Sequence, residues 1–413
     1  LNRTIKLFNI QSILNGKVGE MELSYSWFKD HIAFILNYWK EAVDYENGGI
    51  FFLSNHYTGE LEKTGEKSVL MHVRQLYNYS VGSLYNVADS EKIAGHLFHT
   101  LDSVFQKHQG CYVTNHPYLG GFTKRITAYD QFYIVTGLAK YAAVFKDKKA
   151  YQRTKEHFLF TRRFFGDGSF SERGCFDSYD KKTGVFGIKT ENAMLHHFEA
   201  CINLLAAAQS VFNREDFEKE AHEISRIIEE SNSLFFNRIY DKEKRIVRKF
   251  FENNMQPYKY QDRHPVTIAH ALEWMGFFFE AQILLTKSFL KKEIQELTET
   301  TFLRGYHNSG CFLNDFFLEE GRCMATSVFW GQVEAVLGAL YAYHLYKDIQ
   351  YRNMADNLIK FYKENFVDDK DGGIFSGVTD DKIVFQRIKA FAYKCDHHSI
   401  RMCEKILQYK LLD

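Results

Sequence analysis

Apolar positions follow two alternating patterns along this chain. In one, they mark a single helical face: in Trp27 to Val43, residues Phe34, Ile35, Tyr38, Trp39 and Ala42 keep the i, i+3, i+4 spacing of a helix half in water. In the other they cover most of the circumference, as in Ala193 to Ala208, which predicts a helix buried between neighbours. Between them one punctuation returns six times: a helical pattern, a glycine or polar turn, then a short extended aromatic stretch. It occurs at NGGIFF from Asn47, QGCYV from Gln109, GDGSF from Gly166, NRIYDKEKRIV from Asn237, SGCFL from Ser309 and DGGIF from Asp371. With anchors at 48, 110, 168, 240, 310 and 372, the steps are 62, 58, 72, 70 and 62 residues, a repeat of roughly 65. Six helix pairs whose parallel inner members close a ring form an (α/α)6 barrel; stacked without closing, they form an open solenoid. The expected fold is all-α, an (α/α)6 barrel with short β-hairpin turns between helices. No Pro/Gly/Ser-rich or charged linker breaks the series, so residues 1–413 are expected to form a single domain.

The buried helices carry polar stripes. A buried polar group without a partner costs a few kcal/mol, so a stripe on an otherwise apolar helix points to a cavity. Lys67, Arg74 and Asn78 share one face, as do His196, Glu199 and Asn203, then His270 and Glu273, then Trp330 and Glu334, then Tyr129 and Tyr133; His398 closes the set. The leading members Arg74, Tyr129, His196, His270, Trp330 and His398 are separated by 55, 67, 74, 60 and 68 residues, again the repeat period. In a closed ring such groups meet at one mouth. Each histidine taken alone could equally be a satisfied core residue; the shared phase is what argues against that.

Composition narrows the partners. Lys+Arg and Asp+Glu are 52 each among 413 residues, so there is no basic excess for a nucleic-acid backbone or an anionic membrane. Three prolines suit long unbroken helices. The 38 Phe, 25 Tyr and 4 Trp suit a wide core, and also a pocket that stacks a sugar or a base. Seven cysteines without a CxxC pair indicate neither a disulfide framework nor a thiolate zinc site. Reduced thiols, no leader pattern and no membrane-length apolar run lead to a cytoplasmic expectation, with a removed leader before Leu1 left open.

Three imidazoles, a guanidinium and a carboxylate suit proton transfer near neutral pH. Three His and a Glu also suit zinc, but Glu273 at i+3 from His270 is placed to accept that imidazole's N–H, and no HExxH occurs. No GxSxG supports a serine nucleophile, and Cys395 near His398 is more simply a small buried residue. Asp130, Asp177, Glu199, Glu273 and Glu334 keep a two-carboxylate hydrolase or lyase open. A non-catalytic glycan-binding barrel is the other alternative. Phosphate cradles of the GxGxxG or GxxxxGK[ST] type are absent.

The motifs, taken in order, resemble the N-acylglucosamine 2-epimerase and cellobiose 2-epimerase superfamily, which includes mannose 2-epimerases and mannose-type aldose–ketose isomerases. KSVLMHVRQLYNYS from Lys67 is similar to its arginine helix and aligns Arg74; AYDQFYIVTGLAKYA from Ala128 aligns Tyr129; ENAMLHHFEACINLL from Glu191 aligns Asn192 and places His196, rather than His197, at the family histidine. IAHALEWMGFF from Ile268 aligns His270 and Glu273; SVFWGQVEAVLGAL from Ser327 aligns Trp330 and Glu334; AYKCDHHSIRMCEKI from Ala392 aligns His398 and Arg401. The resemblance implies a cofactor-free, metal-free enzyme with catalytic His270, His398, His196, Arg74 and Glu273. Tyr129, Asn192, Trp330 and Glu334 would bind substrate. The implied chemistry is C2 proton abstraction by His270 or His398 through an enediolate that Arg74 and His196 stabilise. The ligand would be a small sugar or short oligosaccharide, and a homodimer is compatible. Ile268-Ala269 stands where the family has Pro-Gly, Phe329 where it has Trp, and Asp396-His397 where it has Pro-Tyr.

Overall fold

The computed structural model describes residues 24–55, 57–64, 66–114, 125–260, 263–391 and 393–413. Parts of the expected single domain (1–23 and 115–124 above all), and Ala392 at the head of the last motif, lie outside the described residues.

Among the described residues thirteen α-helices follow in chain order: α1 (Tyr25–Lys40), α2 (Val69–Leu84), α3 (Ser90–Val104), α4 (Ala128–Phe145), α5 (Lys148–Phe165), the single turn α6 (Phe170–Arg173), α7 (Glu191–Val211), α8 (Arg214–Leu234), α9 (Ala269–Leu285), α10 (Lys292–Gly305), α11 (Phe329–Tyr346), α12 (Ile349–Asn365) and α13 (His397–Tyr409). The two patterns separate as expected. In α8 the buried residues are Ile224, Ile227, Ile228, Ser231 and Leu234, a single stripe. In α9 every residue from Ala269 to Ala281 is buried.

Inner helices pack α2 on α4, α4 on α7, α7 on α9, α9 on α11, α11 on α13, and α13 back on α2. That last contact closes the ring and excludes the open solenoid. The fold is an (α/α)6 barrel, with α1, α3, α5, α8, α10 and α12 outside.

The six turns are tight antiparallel pairings that follow the outer helices: Val43 with Ile50, Lys107–His108 with Cys111–Tyr112, Gly166 with Cys175, Tyr240–Asp241 with Ile246–Val247, Tyr306 with Phe312, and Val367 with Ile374. At Gly310 the backbone has φ +86, and a Cβ would lie 2.5 Å from the Asn357 carbonyl oxygen, so glycine is required. The third turn departs from the expected extended stretch. Phe170 instead begins α6, and its ring stacks on His197 at 3.9 Å between centroids.

Strand pairs that the sequence pattern did not predict frame the other side of the connections. Arg125–Thr127 pairs with Ser178–Asp180, Lys189–Thr190 with Phe250–Phe251, Pro265–Thr267 with Asp315–Phe317, and Thr326–Val328 with Gly377–Thr379. The first strand of each pair leads straight into an inner helix. Ser68, Thr127 and Thr190 then cap α2, α4 and α7 by accepting the N–H of Met71, Asp130 and Ala193. The N-terminal ends of the inner helices therefore open on one mouth.

The ring is closely packed. A Cβ on Gly137 of α4 would lie 2.4 Å from the Val73 carbonyl oxygen of α2. Gly137→Ala is expected to push these helices apart and cost about 1–3 kcal/mol, read as a lower urea midpoint with an unchanged slope.

Candidate active site

Helix position explains the shared phase of the polar residues. Tyr129, His270, Trp330 and His398 are the second residues of α4, α9, α11 and α13, and Arg74 and His196 are the sixth residues of α2 and α7. At 1.5 Å rise per residue, four positions differ by only about 6 Å in height. All six line one cavity of about 780 Å³, together with Asn192, Glu273, Phe329, Lys394 and Tyr393. Of the stripe companions, Lys67 is instead paired with Asp44 at 2.8 Å. Asn78 donates to the Cys395 carbonyl oxygen, and Asn203 to that of Glu199.

Each of the three imidazoles leans on a carboxylate through Nδ1: His196 on Glu199 at 2.7 Å, His270 on Glu191 at 2.8 Å and His398 on Glu334 at 2.8 Å. An ionised carboxylate only accepts, so Nδ1–H donates and Nε2 keeps its lone pair. Burial lowers His196 and pushes His398 down to about 4, although their carboxylate partners pull the other way. Near neutral pH both are uncharged. His196 Nε2 is then an acceptor, suited to a sugar hydroxyl, which differs from its expected role as an oxyanion donor. His197 turns away from the cavity and packs among Phe132, Phe158 and Phe170.

Two carboxylates are not where the sequence placed them. The partner of His270 Nδ1 is Glu191 of α7, which also accepts the Trp274 indole N–H at 2.8 Å. Glu273 sits on the cavity side, 3.9 Å from His270 Nε2 and 3.9 Å from His398 Nδ1. Burial and the neighbouring Glu334 carboxylate push its carboxyl well above the usual range. Glu334, expected to bind substrate, lies behind His398, where it accepts from that imidazole and from Arg401 at 3.0 Å. Arg401 also reaches Glu280 at 3.0 Å, and Lys405 holds the other oxygen of Glu280 at 2.8 Å.

Arg74 is 2 % exposed. Its guanidinium donates to the Tyr393 carbonyl oxygen at 2.9 Å and to the Tyr129 hydroxyl, and stacks 4.2 Å from the Tyr133 ring centroid. Among the described residues no carboxylate pairs with it. The Trp330 ring centroid lies 5.3 Å from that of His270 and 5.7 Å from that of His398, so one indole borders both imidazoles.

The departures around His398 form one unit. Asp396, at φ +58, stands at the N-cap of α13, but its buried carboxylate makes no bond to the helix and instead takes the Trp39 indole N–H at 2.9 Å and the Lys394 ammonium. That ammonium lies 4.0 Å from the Phe329 ring centroid. Cys395 is buried and its thiol is pushed up to about 11, which is not a thiolate nucleophile. Glu273, Glu334 and His398 offer ligand atoms within 4.8 Å of one another. However, Arg401 bonds both Glu334 oxygens, so a metal ion there would have to compete with a guanidinium for the same carboxylate.

Residues 49–399 match the family described as N-acylglucosamine 2-epimerase (GlcNAc 2-epimerase). The chain belongs to this family. It is 25% identical over 410 residues to a cellobiose 2-epimerase of Ruminococcus albus, covering 92% of this chain and 96% of that protein. The structure of cellobiose 2-epimerase from Bacillus thermoamylovorans superposes with a TM-score of 0.80 at 20% identity, covering 93% of this chain and 99% of that one. A D-mannose isomerase superposes with a TM-score of 0.79 at 16% identity, covering 94% and 100%. The family membership makes this protein an isomerase, a carbohydrate epimerase or an aldose–ketose isomerase. Among the described residues no helix is long and apolar enough to cross a membrane.

Burial of neutral imidazoles has a measurable consequence. Below the ordinary value of 6.5 the unfolded chain takes up protons that His398 and His72, each held at about 4, refuse in the fold. Their contribution to stability is complete above pH 6.5 and is lost as the pH falls towards 4. Urea denaturation at stepped pH is expected to show this decline, and histidine NMR to show His398 neutral at pH 6.5.

Proposed function

We propose that the protein is a cofactor-independent sugar 2-epimerase of the cellobiose, mannose or N-acylhexosamine type. The observation that carries this reading is the pair His270 and His398. They are two imidazoles on one cavity, each tied through Nδ1 to its own carboxylate, with the Trp330 indole beside both. A sugar lying on that indole would present opposite faces of C2 to the two Nε2 atoms.

The steps balance on these residues alone. The reducing sugar opens to its aldehyde. One of the two imidazoles takes the C2 proton through Nε2; the C–H electron pair enters the C1–C2 bond, and negative charge moves to O1. Arg74, already desolvated and paired with no carboxylate among the described residues, supplies the charge-assisted donor for that oxygen, a contribution of about 3 kcal/mol in comparable sites. Protonation of C2 from the opposite face by the other imidazole gives the C2 epimer. His196, Asn192 and Tyr129 offer hydrogen-bonding groups to the sugar hydroxyls.

The likeness to a D-mannose isomerase supports a second reading on the same residues. If the proton returns to C1 instead, the product is the ketose. The seven cysteines, all free and six of them buried, support a reducing, cytoplasmic setting.

Incubation of cellobiose, mannose, glucose and N-acetylmannosamine in deuterated buffer is expected to place deuterium at C2 of an epimer, or at C1 of a ketose, for at least one sugar. His270→Ala and His398→Ala are each expected to lower turnover by about 10²–10⁴-fold with an unchanged circular dichroism spectrum. No label in any of the four sugars would overturn both readings.

A further inference from the structure

The carboxylates behind the three imidazoles are not equivalent. Glu199 meets His196 from the same helix, and Glu334 is divided between His398 and the Arg401 guanidinium. Glu191 meets two N–H groups at once: its Oε2 stands 2.8 Å from His270 Nδ1 and its Oε1 2.8 Å from Trp274 Nε1. Both donors sit on one face of α9, a single turn apart, and both turn to the first residue of α7.

This arrangement dictates what can stand at position 191. An indole N–H only donates, so Oε1 has to accept. Where an ordinary imidazole and an ordinary carboxyl share a proton, the imidazole binds it more tightly, so the proton rests on His270 Nδ1 and Oε2 accepts as well. The first turn of α7 favours the negative charge, and the Glu191 N–H ties the residue to the Lys249 carbonyl oxygen at 2.9 Å. Trp274 is buried against Phe198, Phe235 and Phe278, so its N–H cannot turn to solvent.

We propose that Glu191 and Trp274 together lock the tautomer of His270: the indole pins one carboxylate oxygen, the other must then take Nδ1–H, and the lone pair is left on Nε2 for the C2 proton. This deepens the epimerase reading and rests on it. Glu191 is a positioning residue, since it does not line the cavity and acts through His270. When His270 serves as the base, C2–H breaks and Nε2–H forms while Nδ1–H stays on Glu191. When Nε2 gives a proton to C2, the same neutral tautomer returns. No proton passes to the carboxylate, and no other reactant is consumed.

Glutamine has the shape of glutamate without its two acceptors. In Glu191→Gln the amide oxygen goes to the indole N–H and the NH2 group is left facing His270 Nδ1. That nitrogen then has to accept, the ring proton moves to Nε2, and the base is lost with the heavy atoms in place. Removing the indole N–H as well, in Glu191→Gln/Trp274→Phe, lets the amide turn over and take Nδ1–H again.

The test measures turnover of cellobiose and mannose and reads the His270 tautomer by long-range 1H–15N NMR, its signal assigned by loss in His270→Ala. Glu191→Gln, shown folded by circular dichroism, is expected to lower kcat by about 10²–10⁴-fold with KM within about threefold, and to place the proton on Nε2. Adding Trp274→Phe is expected to raise kcat at least about tenfold and to return the proton to Nδ1. A carboxylate with a merely structural role makes the opposite forecast, because the second substitution removes further packing. Near-normal kcat in Glu191→Gln, a loss confined to KM, or no recovery in a folded double variant would overturn the lock. Should the variants not fold, the unaltered protein decides: Nδ1–H with a bare Nε2 is expected, and the Nε2–H tautomer overturns the proposal. Absence of epimer and ketose with the unaltered protein would remove the epimerase reading, while the tautomer measurement would still judge the lock.

Discussion

The site depends on charge matching inside the ring. Taking an ion from water into a protein interior costs several kcal/mol unless a partner is fixed in place. Here Arg401 is shared between Glu334 and Glu280, and Lys405 completes Glu280. Lys140 and the Tyr77 hydroxyl converge on Glu404. These groups come from α2, α4, α9, α11 and α13, so the matching is complete only when the ring is closed. Glu334 sits at the upper end of this network, and the Nδ1–H of His398 rests on it. Closure of the barrel and orientation of that imidazole are thus one event.

Against this matched interior the cavity itself holds two deliberate mismatches. Among the described residues, Arg74 is a buried cation that no carboxylate pairs with, and Glu273 is a buried acid whose nearest nitrogen partners are the two imidazoles at 3.9 Å. An unpaired cation raises the value of any negative charge that develops on a bound molecule, because no counter-ion has to be displaced first. Tyr129, Tyr133 and the Tyr393 carbonyl hold the guanidinium without neutralising it. The neutral aromatic and backbone contacts keep Arg74 in place at a cost that the folded ring, with its continuous apolar core from Phe28 to Leu411, has to carry.

Much of this was legible in the sequence, and the failures share a cause. The repeat period and the phase of Arg74, Tyr129, His196, His270, Trp330 and His398 led to the barrel and to the cavity, because periodicity reports helix faces directly. Partner assignment did not follow, because spacing along one helix sees only local pairs. Glu273 lies at i+3 from His270 and looked like its anchor, whereas the anchor is Glu191, 79 positions earlier and on another helix. Glu334, at i+4 from Trp330, looked cavity-facing but turns inward to Arg401. The strand pairs at the mouth were equally hidden, since each joins segments from different repeats. At the third turn, the buried stack of Phe170 on His197 outweighed the extended pattern and wound one helical turn.

The two ends of the barrel are wired differently. At the mouth, long connections carry hairpins, strand pairs and most of the cavity wall; at the far end, inner helices pass to outer ones through links as short as Lys146–Asp147, Phe212–Asn213 and Lys347–Asp348. The substitutions that set this chain apart, Ile268-Ala269, Phe329 and Asp396-His397, all fall at the mouth, at the starts of α9, α11 and α13. A scaffold built this way can be retuned for a new ligand from one side only, with its base held constant, much as a lathe keeps its headstock while the cutting tools are exchanged.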